Sequence, residues 1–285
     1  MDLSLIQVPY DSGRFSERMG RGPLHLMERG LGDSLIAAGH DVLAVEVLLP
    51  EGFFPEMGSA VALQKKVFAA VTEARSSGRF PVVLAGNCNH AALGTVPALS
   101  AAGHTPGVLW FDAHGDFNTP EGSRSGFFDG MALSVLTGNC WDFLAAGLTG
   151  FAPVPEDDVL LIGARDLDGP EEELLKGSRI THVLVEEVRR RGVEEALGPG
   201  LERIAARTER LYLHVDLDVL DPVSLRANQF AVPGGLSLDE LLQALRAALR
   251  LRPAGALALT AYDPDADRQE RGLDAARAVI GTVVE

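Results

Sequence analysis

Two clusters of metal-seeking side chains carry the chemistry of this chain. Residues 110–118 read WFDAHGDFN, an apolar run that ends in Asp112, His114 and Asp116 at every second position. Alternate residues of an extended backbone point to one face, so such a stretch would aim two carboxylates and an imidazole at one place. Farther along, HVDLDVLDP supplies Asp216 and Asp218, again directly after an apolar run. Oxygen and imidazole donors suit Mn²⁺, Zn²⁺ or Fe²⁺ rather than an iron-sulfur cluster. A lone Asp-x-His is commonly a polar strand end; two acidic clusters in the same setting point to a metal site.

Such clusters need a scaffold, and the chain supplies a regular one. Eight short apolar runs recur, at 3–8, 41–47, 81–85, 107–112, 158–163, 179–185, 210–216 and 256–262. They are continuously apolar rather than alternating, as parallel strands covered on both faces are. Helical segments separate them. Ser237 with Glu240 forms a capping box for the segment that Pro253 closes, 58–78 ends in Gly78, and 267–284 reads as a C-terminal helix. The alternation predicts one doubly wound α/β domain over residues 1–285. In such sheets ligands bind outside the carboxyl ends of the strands. AGNCNH, WFDAHGD, GARDLDGPEEE and HVDLD all follow strands, so four strand ends are expected to share one rim. The stretch 114–157, rich in Gly, Ser, Phe and Pro, reads as a long functional connection.

Bulk properties narrow the function. A 46% hydrophobic composition is ample for a large core, and two cysteines, Cys88 and Cys140, imply no disulfide framework and a reducing compartment. The first residues carry no basic segment ahead of their apolar run, and no run approaches the roughly 18 residues of a membrane span. The expectation is a soluble cytoplasmic protein without a membrane partner. A net charge of −15 argues against a nucleic-acid partner and favours a cationic small molecule.

The opening VPYDSG, then GRGP and GHDV, followed by WFDAHGDFNTPE and HVDLDVLDP, resembles the arginase, or ureohydrolase, family through most of the chain. The resemblance implies a three-layer α/β/α sandwich around an eight-stranded, mostly parallel sheet. It also implies a metal-dependent amidinohydrolase with two divalent ions, Mn²⁺ first, held at Asp112, His114, Asp116, Asp216 and Asp218. Paired ions lower the pKa of a shared water toward about 7, and the family directs that water at a guanidinium carbon. Asp116 would also handle the proton passed to the leaving amine. Asn118, Ser123 and Ser125 fall where arginases hold a substrate carboxylate, and Asp168 falls where they hold its amino group. The implied substrate is arginine-like. Family members commonly assemble as rings, so a homo-oligomer is expected, although no residue here demands it.

Three positions depart from the family pattern. Cys88, in AGNCN, stands where the family has its first metal-binding His; a soft thiolate shifts preference toward Zn²⁺ or Fe²⁺. A Cys here resembles the branch that hydrolyses N-hydroxy-arginine. His90 nearby is read as a helix-start residue. Asp129, in FFDGMAL, stands where arginases carry a proton-shuttling His, and it could serve as an acid only if burial or neighbouring anions raise its pKa. Ala261, in TAYDPDAD, replaces the Glu that pairs with the guanidinium, a contact of roughly 2 to 5 kcal/mol. Tyr262 and Asp263 are the neighbours that could compensate. His214 is read as a buried, satisfied histidine, Arg165 and Asp166 as ion-pairing residues that hold a rim loop, and Phe127, Phe128 and Trp141 as core or pocket wall. The leading expectation is a hydrolase of guanidino or amidino C–N bonds. An amide or acyl-amine hydrolase of the same fold, or a metal- and ligand-binding relative without turnover, is the alternative.

Overall fold

The computed structural model describes residues 1–50, 55–103, 106–141 and 151–285. All eight apolar runs are strands of one sheet: β1 (Asp2–Val8), β2 (Asp41–Glu46), β3 (Phe80–Ala85), β4 (Pro106–Phe111), β5 (Val159–Ile162), β6 (Thr181–Val183), β7 (Arg210–Asp216) and β8 (Ala254–Thr260). Every pairing in it is parallel, in the order β2-β1-β3-β8-β7-β4-β5-β6. The chain therefore leaves a gap between β3 and β4 and closes it with its last two strands. The ends of β3, β8, β7 and β4 lie side by side, and a switch point of this kind is where open sheets form a ligand crevice.

The helices of the described residues are α1 (Gly22–Glu28), α2 (Leu31–Ala37), α3 (Glu56–Ser76), α4 (Cys88–Ala101), α5 (Ala132–Thr137), α6 (Gly169–Gly177), α7 (Val185–Arg191), α8 (Val193–Arg207), α9 (Leu238–Leu249) and α10 (Gly272–Val284). Strand residues divide between two cores with the period of the pleat. Leu211, Leu213 and Val215 pack with α8, α9 and α10, while Tyr212 and Trp110 pack with α3, α4 and α5. The three-layer α/β/α arrangement follows. No described helix is long and apolar enough to cross a membrane.

The capping box at Ser237 forms as read: its Oγ accepts from Glu240 N at 3.2 Å, and its N donates to Glu240 Oε2 at 2.7 Å. The C-terminal helix starts later than expected, at Gly272 instead of 267. Asp267 accounts for this, because its Oδ2 accepts from both Gly272 N and the Tyr262 hydroxyl, at 2.7 and 3.0 Å. That turn uses up the residues that would have made the first helical turn. The 114–157 connection contains α5 and a 3₁₀ turn at Asp129–Met131, and its residues 142–150 lie outside the described ones.

Helix α4 carries Cys88 at its first position, and its depth is set by close packing on α3. A Cβ on Gly94 would lie 2.6 Å from Val67 Cβ and 2.7 Å from the Gln64 carbonyl oxygen. Gly281, in α10, faces open space instead. Gly94→Ala should therefore destabilise the protein by about 1–3 kcal/mol through overpacking. Gly281→Ala should raise stability by roughly 0.5–1 kcal/mol through helix propensity. Urea unfolding midpoints of the two variants should move in opposite directions.

Candidate active site

Strand β4 ends at Phe111, so the ligands that follow do not converge by strand alternation as the sequence predicted. The Asp112 carboxylate turns the chain instead: its Oδ1 accepts from His114 N at 2.8 Å. Asp116 then adopts φ +47°, a left-handed conformation that Asp tolerates better than most residues. The same device operates after β7, where Asp216 Oδ1 accepts from Asp218 N at 2.8 Å and the chain enters a 3₁₀ turn at Leu217–Val219. Asp218 Oδ1 accepts in turn from Ala113 N at 3.2 Å, which ties the two loops together.

The result is two overlapping sets of ligand atoms, each mutually within 4.8 Å: Cys88, Asp112 and Asp216 in one, Asp112, His114 and Asp218 in the other. Asp112 belongs to both. Asp116 belongs to neither, yet its Oδ2 is buried, faces the same pocket and has no hydrogen-bond partner. Four carboxylates, on Asp112, Asp116, Asp216 and Asp218, are each at most 6% exposed, so water screens them little. Burial first, then repulsion from Asp112 among others, holds Asp116 protonated well above the ordinary carboxylate range; burial and then Asp218 do the same for Asp216. Burial opposes a charge on His114, but Asp218 and then Asp112 overcome it and push the imidazole up to about 10. Among the described residues no guanidinium is hydrogen-bonded to these carboxylates, although Arg165 feels the charges of Asp218 and Asp112. Arg165, expected to pair with Asp166, spends its donors on the carbonyls of Gly163, Asp218, Val219, Val232 and Pro233. A buried anionic cluster with an unpaired oxygen and one thiol fits divalent cations.

Above these ligands opens a cavity of about 310 Å³. Asn118, Ser123, Ser125, Asp129 and Asp168 line it together with Cys88, His114, Asp116, Asp216 and Asp218, so the separate stretches of sequence meet in one place. Ser123 Oγ accepts from Gly126 N at 3.0 Å and Ser125 Oγ from Phe127 N at 3.1 Å. Asp168 caps α6 and receives Asn118 Nδ2 at 3.4 Å, while Arg124 stands 3.7 Å from its other oxygen. Phe127 leans on Phe230 with centroids 6.1 Å apart, and Phe230 meets His114 edge-on, forming an apolar wall.

A family model described as "Arginase family" matches residues 1–284. The chain belongs to the arginase family. An arginase of Staphylococcus aureus (strain MSSA476) is 30% identical over 292 aligned residues, covering 98% of this chain and 96% of that protein. The crystal structure of the arginase from Bacillus subtilis superposes with a TM-score of 0.87 at 28% identity, covering 100% of this chain and 98% of the other. That of Bacillus caldovelox arginase gives 0.88 at 27%, with 99% and 97% covered. The family is one of metal-dependent ureohydrolases.

Against the arginase-family pattern, each departure now has surroundings. Cys88 Sγ lies 3.2 Å from Asp216 Oδ2 and 3.2 Å from Thr260 Oγ1, within the first ligand set. His90 is in the first turn of α4, in neither set, and burial pushes it down to about 3. Asp129 meets the condition set for an acid, because burial lifts it to about 7. Its two oxygens nevertheless accept from Asn87 Nδ2, Cys88 N, Asn89 N and Asn89 Nδ2 at 2.8–3.1 Å, so the carboxylate serves the exposed N–H groups at the start of α4. Ala261 lines the cavity at φ +58°. Neither neighbour compensates for it: the Tyr262 hydroxyl is turned to Asp267, and Asp263 faces a separate groove with Arg226 and Arg268.

Two further residues support the site: Glu171, whose D-x-x-E spacing from Asp168 marks a capping box in sequence, and Asn228, which has no signature there. Glu171 accepts from Phe117 N at 2.9 Å and packs on Gly115, where a Cβ would come within 2.6 Å of its Oε1; it fixes the turn that presents Asp116. Fully buried Asn228 donates from Nδ2 to Asp218 Oδ2 at 3.1 Å and to the Ala261 carbonyl at 2.9 Å, and accepts from Phe230 N at 2.8 Å. Asn228→Leu leaves those three groups unpaired in a site with little water. We expect about 2–3 kcal/mol lost in denaturant unfolding, together with weaker metal retention in a chelator competition.

Proposed function

We propose that this protein is a dinuclear metal-dependent hydrolase that cleaves a carbon-nitrogen bond of a cationic guanidino or amidino compound with an amino-acid end, arginine or N-hydroxy-arginine. The observation that carries this reading is the pair of ligand sets sharing Asp112 at the base of the cavity whose mouth is lined by Asn118, Ser123, Ser125 and Asp168. Cys88, Asp112 and Asp216 would hold one ion, and Asp112, His114 and Asp218 the other, with Asp116 beside them. Mn²⁺ suits the oxygen-rich set, while the Cys88 sulfur moves its set toward Zn²⁺ or Fe²⁺. Divalent ions held there supply Lewis acidity, polarising the trigonal carbon and acidifying water.

The chain's own groups do the rest. The unpaired Asp116 Oδ2 is free to take a proton from the attacking water and return it to the leaving nitrogen. Ser123 and Ser125 accept from backbone N–H groups and share one hydroxyl hydrogen between them at 3.5 Å, which leaves the other to donate to a substrate carboxylate. Asp168 receives the amino group, and the Phe127–Phe230 wall limits water. Asp129 holds the start of α4, and with it Cys88, in place. The small side chain of Ala261 leaves the far end of a guanidinium without its carboxylate partner. Cys88 favours N-hydroxy-arginine over arginine, while Ala261 supports a second reading in which the scissile bond is an amide. The reading carries with it a cytoplasmic, homo-oligomeric protein, in keeping with its two free cysteines.

Protein loaded in turn with Mn²⁺, Zn²⁺ and Fe²⁺ should release amine from N-hydroxy-arginine faster than from arginine, and chelation should abolish turnover. Asp116→Asn should lower kcat by about 10²–10⁴-fold with metal content preserved. Agmatine, guanidinobutyrate and formiminoglutamate test the amino-acid end, and a chromogenic acyl-lysine tests the amide reading. Absence of turnover on the guanidino and amidino compounds in all three metal forms would sink the proposal.

A further inference from the structure

Beneath the candidate site, the inner face of the sheet carries a run of polar contacts that the hydrolytic reading leaves unused. Tyr212, His214 and Asp216 alternate along β7 and so share a face. His214 is fully buried and lies in register with Trp110 on β4 and Ala258 on β8. Its ring stacks on Trp110 with centroids 3.6 Å apart and planes 11° from parallel. Nδ1 lies 2.8 Å from the Tyr212 hydroxyl and Nε2 lies 3.3 Å from Thr260 Oγ1. Thr260 Oγ1 is 3.2 Å from Cys88 Sγ.

The direction of these bonds follows from counting donors. Among the described residues the Tyr212 hydroxyl has one hydrogen-bond partner, His214 Nδ1, and a buried O–H without an acceptor is costly. Tyr212 therefore donates, Nδ1 accepts, and the ring proton sits on Nε2. Nε2–H then donates to Thr260 Oγ1. Thr260 has its own hydrogen left, and the acceptor within reach is the Cys88 sulfur. The chain of donors ends on that atom. The Trp110 face that clamps His214 belongs to the indole whose Nε1 donates to Asp112 Oδ2 at 3.1 Å, so the same stack steadies the ligand common to both sets.

We propose that Tyr212, His214 and Thr260 are positioning residues for a sulfur ligand: they deliver one directed O–H donor to Cys88 Sγ, which fixes the orientation of that sulfur toward a bound ion. This inference rests on the reading of Cys88 as a metal ligand. It explains why a histidine occupies a fully buried strand position that an apolar residue would fill at lower desolvation cost. It also assigns Thr260, at the last position of β8, a task that its strand pairing does not require.

Cobalt serves as the probe, because a thiolate bound to Co²⁺ gives a sulfur-to-metal charge-transfer absorption. Purified protein should show that band on Co²⁺ titration, and Cys88→Ser should remove it. Thr260→Val keeps the side-chain shape and deletes the donor. It should shift or weaken the band and lower Co²⁺ affinity by about 10–100-fold, as loss of a group that orients a ligand does. Thr260→Ser should restore both. Tyr212→Phe, remote from the sulfur, should reproduce the effect in smaller measure with the thermal midpoint and the Trp110 fluorescence of a folded protein. A wild-type band left unmoved by Thr260→Val and Tyr212→Phe overturns the donor chain alone. A wild-type protein that binds Co²⁺ without the band overturns the Cys88 reading, and the donor chain falls with it.

Discussion

Four carboxylates gathered in a pocket with little water are the constraint around which the rest of the structure is arranged. Two like charges about 4 Å apart repel by roughly 4 kcal/mol at the effective dielectric of a protein interior near its surface. The cluster contains several such pairs. The fold meets part of this demand locally. His114 N, Asp218 N, Ala113 N, Asn228 Nδ2 and Trp110 Nε1 all donate to the clustered carboxylates. Yet the Arg165 guanidinium donates to backbone carbonyls, and among the described residues Asp116 Oδ2 is left without a donor. In the absence of a cation, protons on Asp116, Asp216 and His114 offset the charge, and a divalent ion is the partner that could replace them.

Topology determines which residues meet this constraint. The last two strands insert between β3 and β4, so residues from all parts of the sequence arrive at adjacent strand ends. The loops they enter are braced across the gap. Glu171 holds Phe117 N from the β5 side, Asn228 links Asp218 to the Ala261 carbonyl, and Ala261 N donates back to Ala85 O on β3. Each brace is a polar side chain or backbone group with its bonds satisfied, so the site is positioned by matched donors and acceptors on top of a packed apolar sheet.

The sheet was legible because buried parallel strands must be continuously apolar, and eight such runs separated by helical segments leave few alternatives. Asp112, His114, Asp116, Asp216 and Asp218 were legible because metal-ligand types recur directly after those runs. The means of convergence were not. An Asp carboxylate that accepts from the N–H two residues on makes a turn, and in sequence it is indistinguishable from strand alternation over the same residues. The bracing roles of Asn228 and Glu171 escape notice for a related reason: the Ala261 carbonyl and Phe117 N that they hold are backbone atoms far away in the chain, and a backbone partner leaves no mark on composition. The late start of α10 has the same origin, in the capture of Gly272 N by Asp267.

Two of the three departures from the family pattern, Cys88 and Asp129, belong to one connected substructure. Asp129 stands over the start of α4 and accepts from the backbone N–H groups of Cys88 and Asn89, from the Asn89 amide and from Asn87 Nδ2. Asn87 in turn accepts from Ser12 N at 2.8 Å and reaches Asp11, which Arg18 pairs at 2.9 Å. A carboxylate at 129 thus requires amide donors at 87 and 89, and this chain has them. Asp129, Asn87 and Asn89 satisfy one another, while His90 Nδ1 in the same turn is left without a partner among the described residues. This corner presents to the cavity the Cys88 sulfur, held between Asp216 and Thr260, so Cys88 and Asp129 are two ends of one hydrogen-bonded unit.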